Sequence, residues 1–298
     1  SIYFALYSQI GVYLRESHLA SLRLCSNFLC YLFGATISAM SSISNQALSN
    51  QERAMRAVLS ILLPAGSAVL ISLLAGMFWD ISALSNQAAA AVLLSSAAVV
   101  SLILGIRWYG ISGMGMREGR ALTAGLGFAS LLWIIFIVLR FFFVDIAPSA
   151  IEGRPPDAGR TYIYLLLFEA LATQIWTYGL VFHAVTDWRG PITAIFVSGL
   201  IFGLAAISLF QESFSGSSAS MIYFIILGFL YAIIRLRTGS FLGTVIVQSI
   251  QSFTTWIVLA PYSVPDIAQL NNLYLSAVIA YMIVAWRLWP KQVSDYRI

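Results

Sequence analysis

Residues 165–180 read LLLFEALATQIWTYGL, one carboxylate set inside an apolar run that extends from 161 to 183. An apolar run of roughly 18 or more residues reads as a membrane helix. Glu169 lies about eight residues into this run, so about 12 Å deep at about 1.5 Å per residue. A carboxylate near the bilayer centre costs about 2.5–3.5 kcal/mol on insertion scales, and such groups are usually functional or paired. The run therefore sets both the fold class and the first candidate residue.

The rest of the chain has the same character. Of 298 residues, 60% are hydrophobic and 9% charged, and mean hydropathy is +0.87. A soluble domain carries about 25% charged residues. Further spans are expected at 57–79, 87–106, 121–144, 191–210, 220–236, 240–260 and 271–288. The predicted fold is an all-α, polytopic integral membrane helix bundle with eight spans, or nine if residues 24–44 also cross. Four regions are expected: an interfacial or partner-facing segment at 1–56, accessory helices at 57–160, a four-helix core at 161–260, and a last span with its tail at 261–298. The net charge of +4 does not point to nucleic acid, because basic residues at cytoplasmic helix ends give polytopic proteins this bias. Cys25 and Cys30 would point about 140° apart on a helix, which makes neither a disulfide framework nor a metal pair.

Charge orders the loops. Arg53 and Arg56, then Arg107, Arg117 and Arg120, then Arg189, Arg235, Arg237, Arg287, Lys291 and Arg297 fall at alternate span ends. The intervening loops at 80–86, 211–219 and 261–270 carry no Lys or Arg, and the mixed 145–160 loop is the exception. The C-terminus is therefore expected on the cytoplasmic, stromal or matrix side. Pro64 and Gly66 are expected to kink the first clear span. Trp79, Trp108, Tyr109, Trp188, Trp286 and Trp289 near span ends read as an interfacial belt.

A second stretch, residues 227–252, reads LGFLYAIIRLRTGSFLGTVIVQSIQS. Its Thr238-Gly239-Ser240 turn, the apolar background and the Gly179 and Phe202 spacing resemble the CAAX-protease and bacteriocin-processing (CPBP) family of intramembrane proteases. The resemblance covers about a third of the chain. The family's first motif is two adjacent Glu, three intervening residues, then Arg, usually with Gly after it. The matching positions are Thr173 and Gln174 for the Glu pair and Tyr178 for the Arg, with Gly179 kept. The second motif is Phe, three residues, then His; Phe202 is present and Ala206 stands for the His. The third is His with Asn four residues on; Gln248 and Ser252 stand there.

The resemblance implies that one Glu activates a water while His and Asn side chains hold it and the developing oxyanion. A general base needs a group that titrates near the working pH. Gln and Thr do not, Ala206 offers neither proton nor acceptor, and Gln248 retains only donation to an oxyanion. No catalytic group is therefore expected at these six positions, and the chain reads as a pseudoprotease. Nor is a metal expected, since a site needs several ligands together and the sequence has only His18 and His183.

Glu169 keeps three readings open: a displaced general base, a structural carboxyl that is protonated or bonded to Gln248, Gln251 or a Trp or Tyr, or a partner to another subunit's Arg. Gln248, Gln251 and Ser252 share one helix face, as chamber lining or as interhelical hydrogen-bond glue. His183, beside Asp187, Trp188 and Arg189, reads as a solvated helix end rather than a proton relay. Arg140 is expected to snorkel to the surface or to pair with Asp145.

The leading functional expectation is a non-catalytic structural, assembly or scaffold subunit of a membrane complex. It has other membrane subunits as partners, no cofactor, and a lipid or hydrophobic segment in the former active-site cavity. The alternatives are an intramembrane endopeptidase using Glu169, and a small transporter, which the absence of repeats and of ionisable residues along several helices weakens.

Overall fold

The computed structural model describes residues 48–78, 86–145, 158–210, 218–261, 265–292 and 295–297. The expectations for residues 1–47, including the 24–44 span, His18, Cys25 and Cys30, and for Trp79 lie outside the described residues. The compact unit Asn50–Ile298 holds eight helices among the described residues: α1 (Asn50–Phe78), α2 (Asn86–Gly113), α3 (Arg120–Phe143), α4 (Ala158–Arg189), α5 (Pro191–Leu209), α6 (Ser218–Thr238), α7 (Leu242–Val258) and α8 (Ile267–Leu288). Seven are long and apolar enough to cross a membrane, and the chain is a polytopic membrane helix bundle.

α7 is the short one. The expected span at 240–260 shrinks to 11 α-helical residues followed by 6 π-helical ones. At about 1.5 Å per residue it falls short of a hydrocarbon core about 30 Å thick. α4 departs the other way and runs from Ala158 to Arg189, beyond the expected 161–183. Leu165–Ala172 and Ile175–Val181 within it are wound as π-helix, whose i→i+5 bonds widen the turn and recur at functional sites. α1 stays helical across Pro64 and Gly66, and Ser67 Oγ donates to the Pro64 carbonyl at 2.7 Å. Gly110 (φ 71°, ψ 170°) breaks the helical geometry near the end of α2.

Helix starts follow local chemistry. Gly190 (φ 89°) turns the chain out of α4, and Pro191 opens α5, where a missing N–H costs nothing. Gln269 Oε1 accepts from the Asp266 N–H and caps α8.

Burial is uneven. α4 and α6 are largely buried, whereas α1, α2 and α3 present mostly open apolar faces. α5 and α6 meet backbone to backbone: a Cβ on Gly228 would overlap the Gly199 carbonyl oxygen, and one on Gly203 would lie 2.8 Å from Ile225 Cα. Without a hydrophobic drive between helices in lipid, small residues that let backbones approach are what hold such pairs.

Two charged residues differ from expectation. Arg140 neither snorkels nor pairs with Asp145. It is fully buried, donates to the carbonyls of Val144 and Leu259, and lies over the Trp256 ring. Those carbonyls end α3 and α7, where unpaired acceptors favour a cation. His183 is not a solvated helix end, because α4 runs six residues past it. Its side chain is 15% exposed, with the Tyr109 ring 4.3 Å away and Asp187 Oδ1 at 3.7 Å. Tyr109 thus packs inward instead of joining an interfacial belt, while Trp286 remains 78% exposed.

Candidate functional site

The Thr238-Gly239-Ser240 turn aims α7 back against α4. Gly239 takes φ 79° and its N–H bonds to the Arg235 carbonyl at 2.9 Å. Thr238 Oγ1 reaches the Ile234 carbonyl at 2.8 Å, Ser240 Oγ accepts from the Leu242 N–H, and the Phe241 N–H donates to the Gly115 carbonyl. A side chain at 239 is disfavoured by the positive φ alone.

The turn brings Gln174 of α4 against Gln248 of α7. Gln174 Nε2 donates to Gln248 Oε1 at 2.6 Å, and Gln174 Oε1 accepts from Thr244 Oγ1 at 2.6 Å. Gln248 Nε2 donates to the backbone carbonyl of Glu169 at 3.2 Å. Thr244 Oγ1 also lies 2.6 Å from the Phe241 carbonyl, so its single proton serves two acceptors. All three side chains are buried. Gln248 keeps a second N–H beyond the one given to Glu169.

Tyr178, matched above to the family's Arg, is fully buried. Its hydroxyl donates to the Gly228 carbonyl at 2.8 Å, and its ring stacks on Phe202 at 5.6 Å and meets Tyr231 edge-on at 6.4 Å. Thr173 and Ala206 are also fully buried. Thr173 receives Thr177 Oγ1 on its carbonyl, and Ala206 receives the Phe210 N–H.

Beside the amide network lies a cavity of about 30 Å³ whose lining includes Glu169, Gln248, Gln251 and Ser252. That is room for at least one water. The polar stripe of α7 therefore does face a chamber, and Gln251 Nε2 donates to Tyr223 OH at 2.8 Å across to α6. Thr173, Gln174, Tyr178 and Ala206 do not line it. Glu169 is 2% exposed and is the one carboxylate on the wall. Gln251 Oε1, Tyr231 OH and Tyr274 OH are buried without a protein partner among the described residues and are the groups that suit a water there. Among the described residues no three His, Cys, Asp or Glu side chains come together as a metal site would need.

The structure adds residues that motif spacing did not pick out. Thr244 stands one turn before Gln248 on the same face, a signal present in the sequence. Tyr223 and Tyr231 of α6, and Tyr274 of α8, complete the wall.

Residues 157–254 match the family model for Type II CAAX prenyl endopeptidase Rce1-like. That segment is similar to the CAAX prenyl endopeptidase family. No curated protein matches the chain. The CAAX-protease segment takes in α4, α5, α6 and most of α7, hence Glu169, both glutamines and Tyr178. Phe136, Trp256 and Tyr274, which close the cavity, come from outside it.

Proposed function

We propose that the chain is a non-catalytic CAAX-protease-like membrane protein serving as a structural or assembly subunit of a membrane complex. The observation that carries this reading is the hydrogen bond between Gln174 and Gln248, two of the motif positions, braced by Thr244. Side chains that neither accept nor release a proton near neutral pH occupy these two places, and they are bonded to each other. Tyr178 is held the same way by Gly228 and Phe202. The open apolar faces of α1, α2 and α3 support the subunit role, with Leu62, Leu73, Ile103 and Ile134 all more than half exposed. Such faces suit lipid or the helices of other membrane proteins. A transporter finds no support in a cavity of about 30 Å³.

Glu169 favours one second reading. It lines the cavity with Gln248, whose spare N–H suits a developing oxyanion, so an intramembrane endopeptidase with a displaced base is the competing assignment. Extraction from native membranes in mild detergent tests the subunit role. Migration with other membrane proteins at a mass well above one chain supports it; migration as a single chain under every mild condition contradicts it.

A further inference from the structure

A second concavity lies away from the amide network, at the start of α3 and the end of α6. It has a volume of about 590 Å³. Its charged wall consists of Arg117, Arg120, Arg237 and Arg297 against Glu118 and Asp295, four guanidinium groups to two carboxylates. The wall is built by specific contacts. The Arg297 N–H bonds to the Leu236 carbonyl at 2.8 Å, which holds the C-terminal segment against α6. Asp295 Oδ2 accepts from the N–H groups of Lys291 and Gln292 at 3.0 and 3.2 Å, and these bonds hold its carboxyl pKa below the usual Asp value and keep it ionised. One of the two acids is thereby committed to its own turn.

The other wall is apolar. Ala121, Ala124 and Phe128 follow one face of α3, away from the arginines and into the span. Small residues at 121 and 124 leave a channel, and Phe128 lies about 10 Å along the axis from Ala121 at about 1.5 Å per residue. A basic mouth over an apolar groove that enters a membrane span matches a phospholipid: phosphate on the guanidinium forks, acyl chain along the helix. Planar guanidinium groups suit phosphate oxygens in pairs, and basic pockets between membrane helices take anionic head groups.

We infer that this groove binds an anionic phospholipid, with its phosphate held by Arg117, Arg120 and Arg297 and one acyl chain lying along Ala121, Ala124 and Phe128. The site is independent of the CAAX-protease cavity and of the proposed subunit role.

The test uses the full chain purified in detergent, with lipid retention followed by native mass spectrometry against phosphatidylglycerol or phosphatidylcholine. Arg120 and Arg297 are exposed, and only the backbone of Arg297 bonds to α6, so the double variant R120Q/R297Q leaves packing intact. Phosphatidylglycerol is expected to be retained over phosphatidylcholine, and the double variant, with two basic residues removed, to lose affinity about thirtyfold. The variant R107Q/R189Q, with equal charge loss at exposed positions outside the groove, is expected to bind as the parent does. Equal retention of both lipids, an unchanged R120Q/R297Q, or an equal drop in R107Q/R189Q overturns the assignment. Full displacement of the lipid by inorganic phosphate also overturns it, because a free-anion pocket has no use for the α3 groove.

Discussion

Gln174 makes two buried side-chain hydrogen bonds, to Gln248 and from Thr244. Gln174→Ala leaves Gln248 Oε1 without its donor inside the bundle, while Thr244 Oγ1 keeps the Phe241 carbonyl and Gln248 Nε2 the Glu169 carbonyl. Interhelical hydrogen bonds in membranes average about 0.6 kcal/mol, but orphaned buried groups cost about 1–3 kcal/mol. A loss of about 1–2 kcal/mol is expected, seen as a lower midpoint of thermal unfolding in detergent; an unchanged midpoint would show the network carries no stability. Tyr178→Arg restores the family's residue in the wrong surroundings. A guanidinium between the Phe202 and Tyr231 rings has no carboxylate within this network, and unpaired buried charges cost about 3–5 kcal/mol. That variant is expected to fail to accumulate as folded protein, and a well-folded variant would contradict the placement. The glutamines were legible from motif spacing because polar side chains are rare in such helices. Arg140 and His183 were not, since the carbonyls of Val144 and Leu259 and the ring of Tyr109 reach them only through the fold.

At the scale of helices, the α5–α6 contact is the most demanding. Gly228→Ala puts a methyl group onto the Gly199 carbonyl oxygen, a backbone atom that cannot rotate away. The two helices must separate, at a cost of about 1–3 kcal/mol. Gly127→Ala in α3 meets nothing within 4 Å and is expected to be neutral or to stabilise by up to about 1 kcal/mol. The unfolding midpoint of Gly228→Ala should therefore fall while that of Gly127→Ala holds or rises, and an unchanged Gly228→Ala would count against the close approach. Most helix positions were readable from apolar run length. The π-helical stretches of α4 and the shortness of α7 were not, because winding responds to the helices packed alongside rather than to the run itself.

For the whole molecule, composition alone gave the membrane class, because 9% charged residues cannot clothe a soluble surface of this size. The seven long apolar helices agree with it. The CAAX-protease segment was visible in the Thr238-Gly239-Ser240 turn and the Gly179 and Phe202 spacing, and the family model covers residues 157–254. Cavity size was beyond sequence, since Phe136 of α3 and Tyr274 of α8 fill it from outside that segment. The proposal to be tested is that a chain similar to a CAAX protease over residues 157–254 does not activate water. The direct measurement is cleavage of a prenylated CAAX peptide by the full chain in proteoliposomes, with Glu169→Gln in parallel. The account predicts no cleavage by either protein; cleavage by the parent that disappears in Glu169→Gln would contradict it.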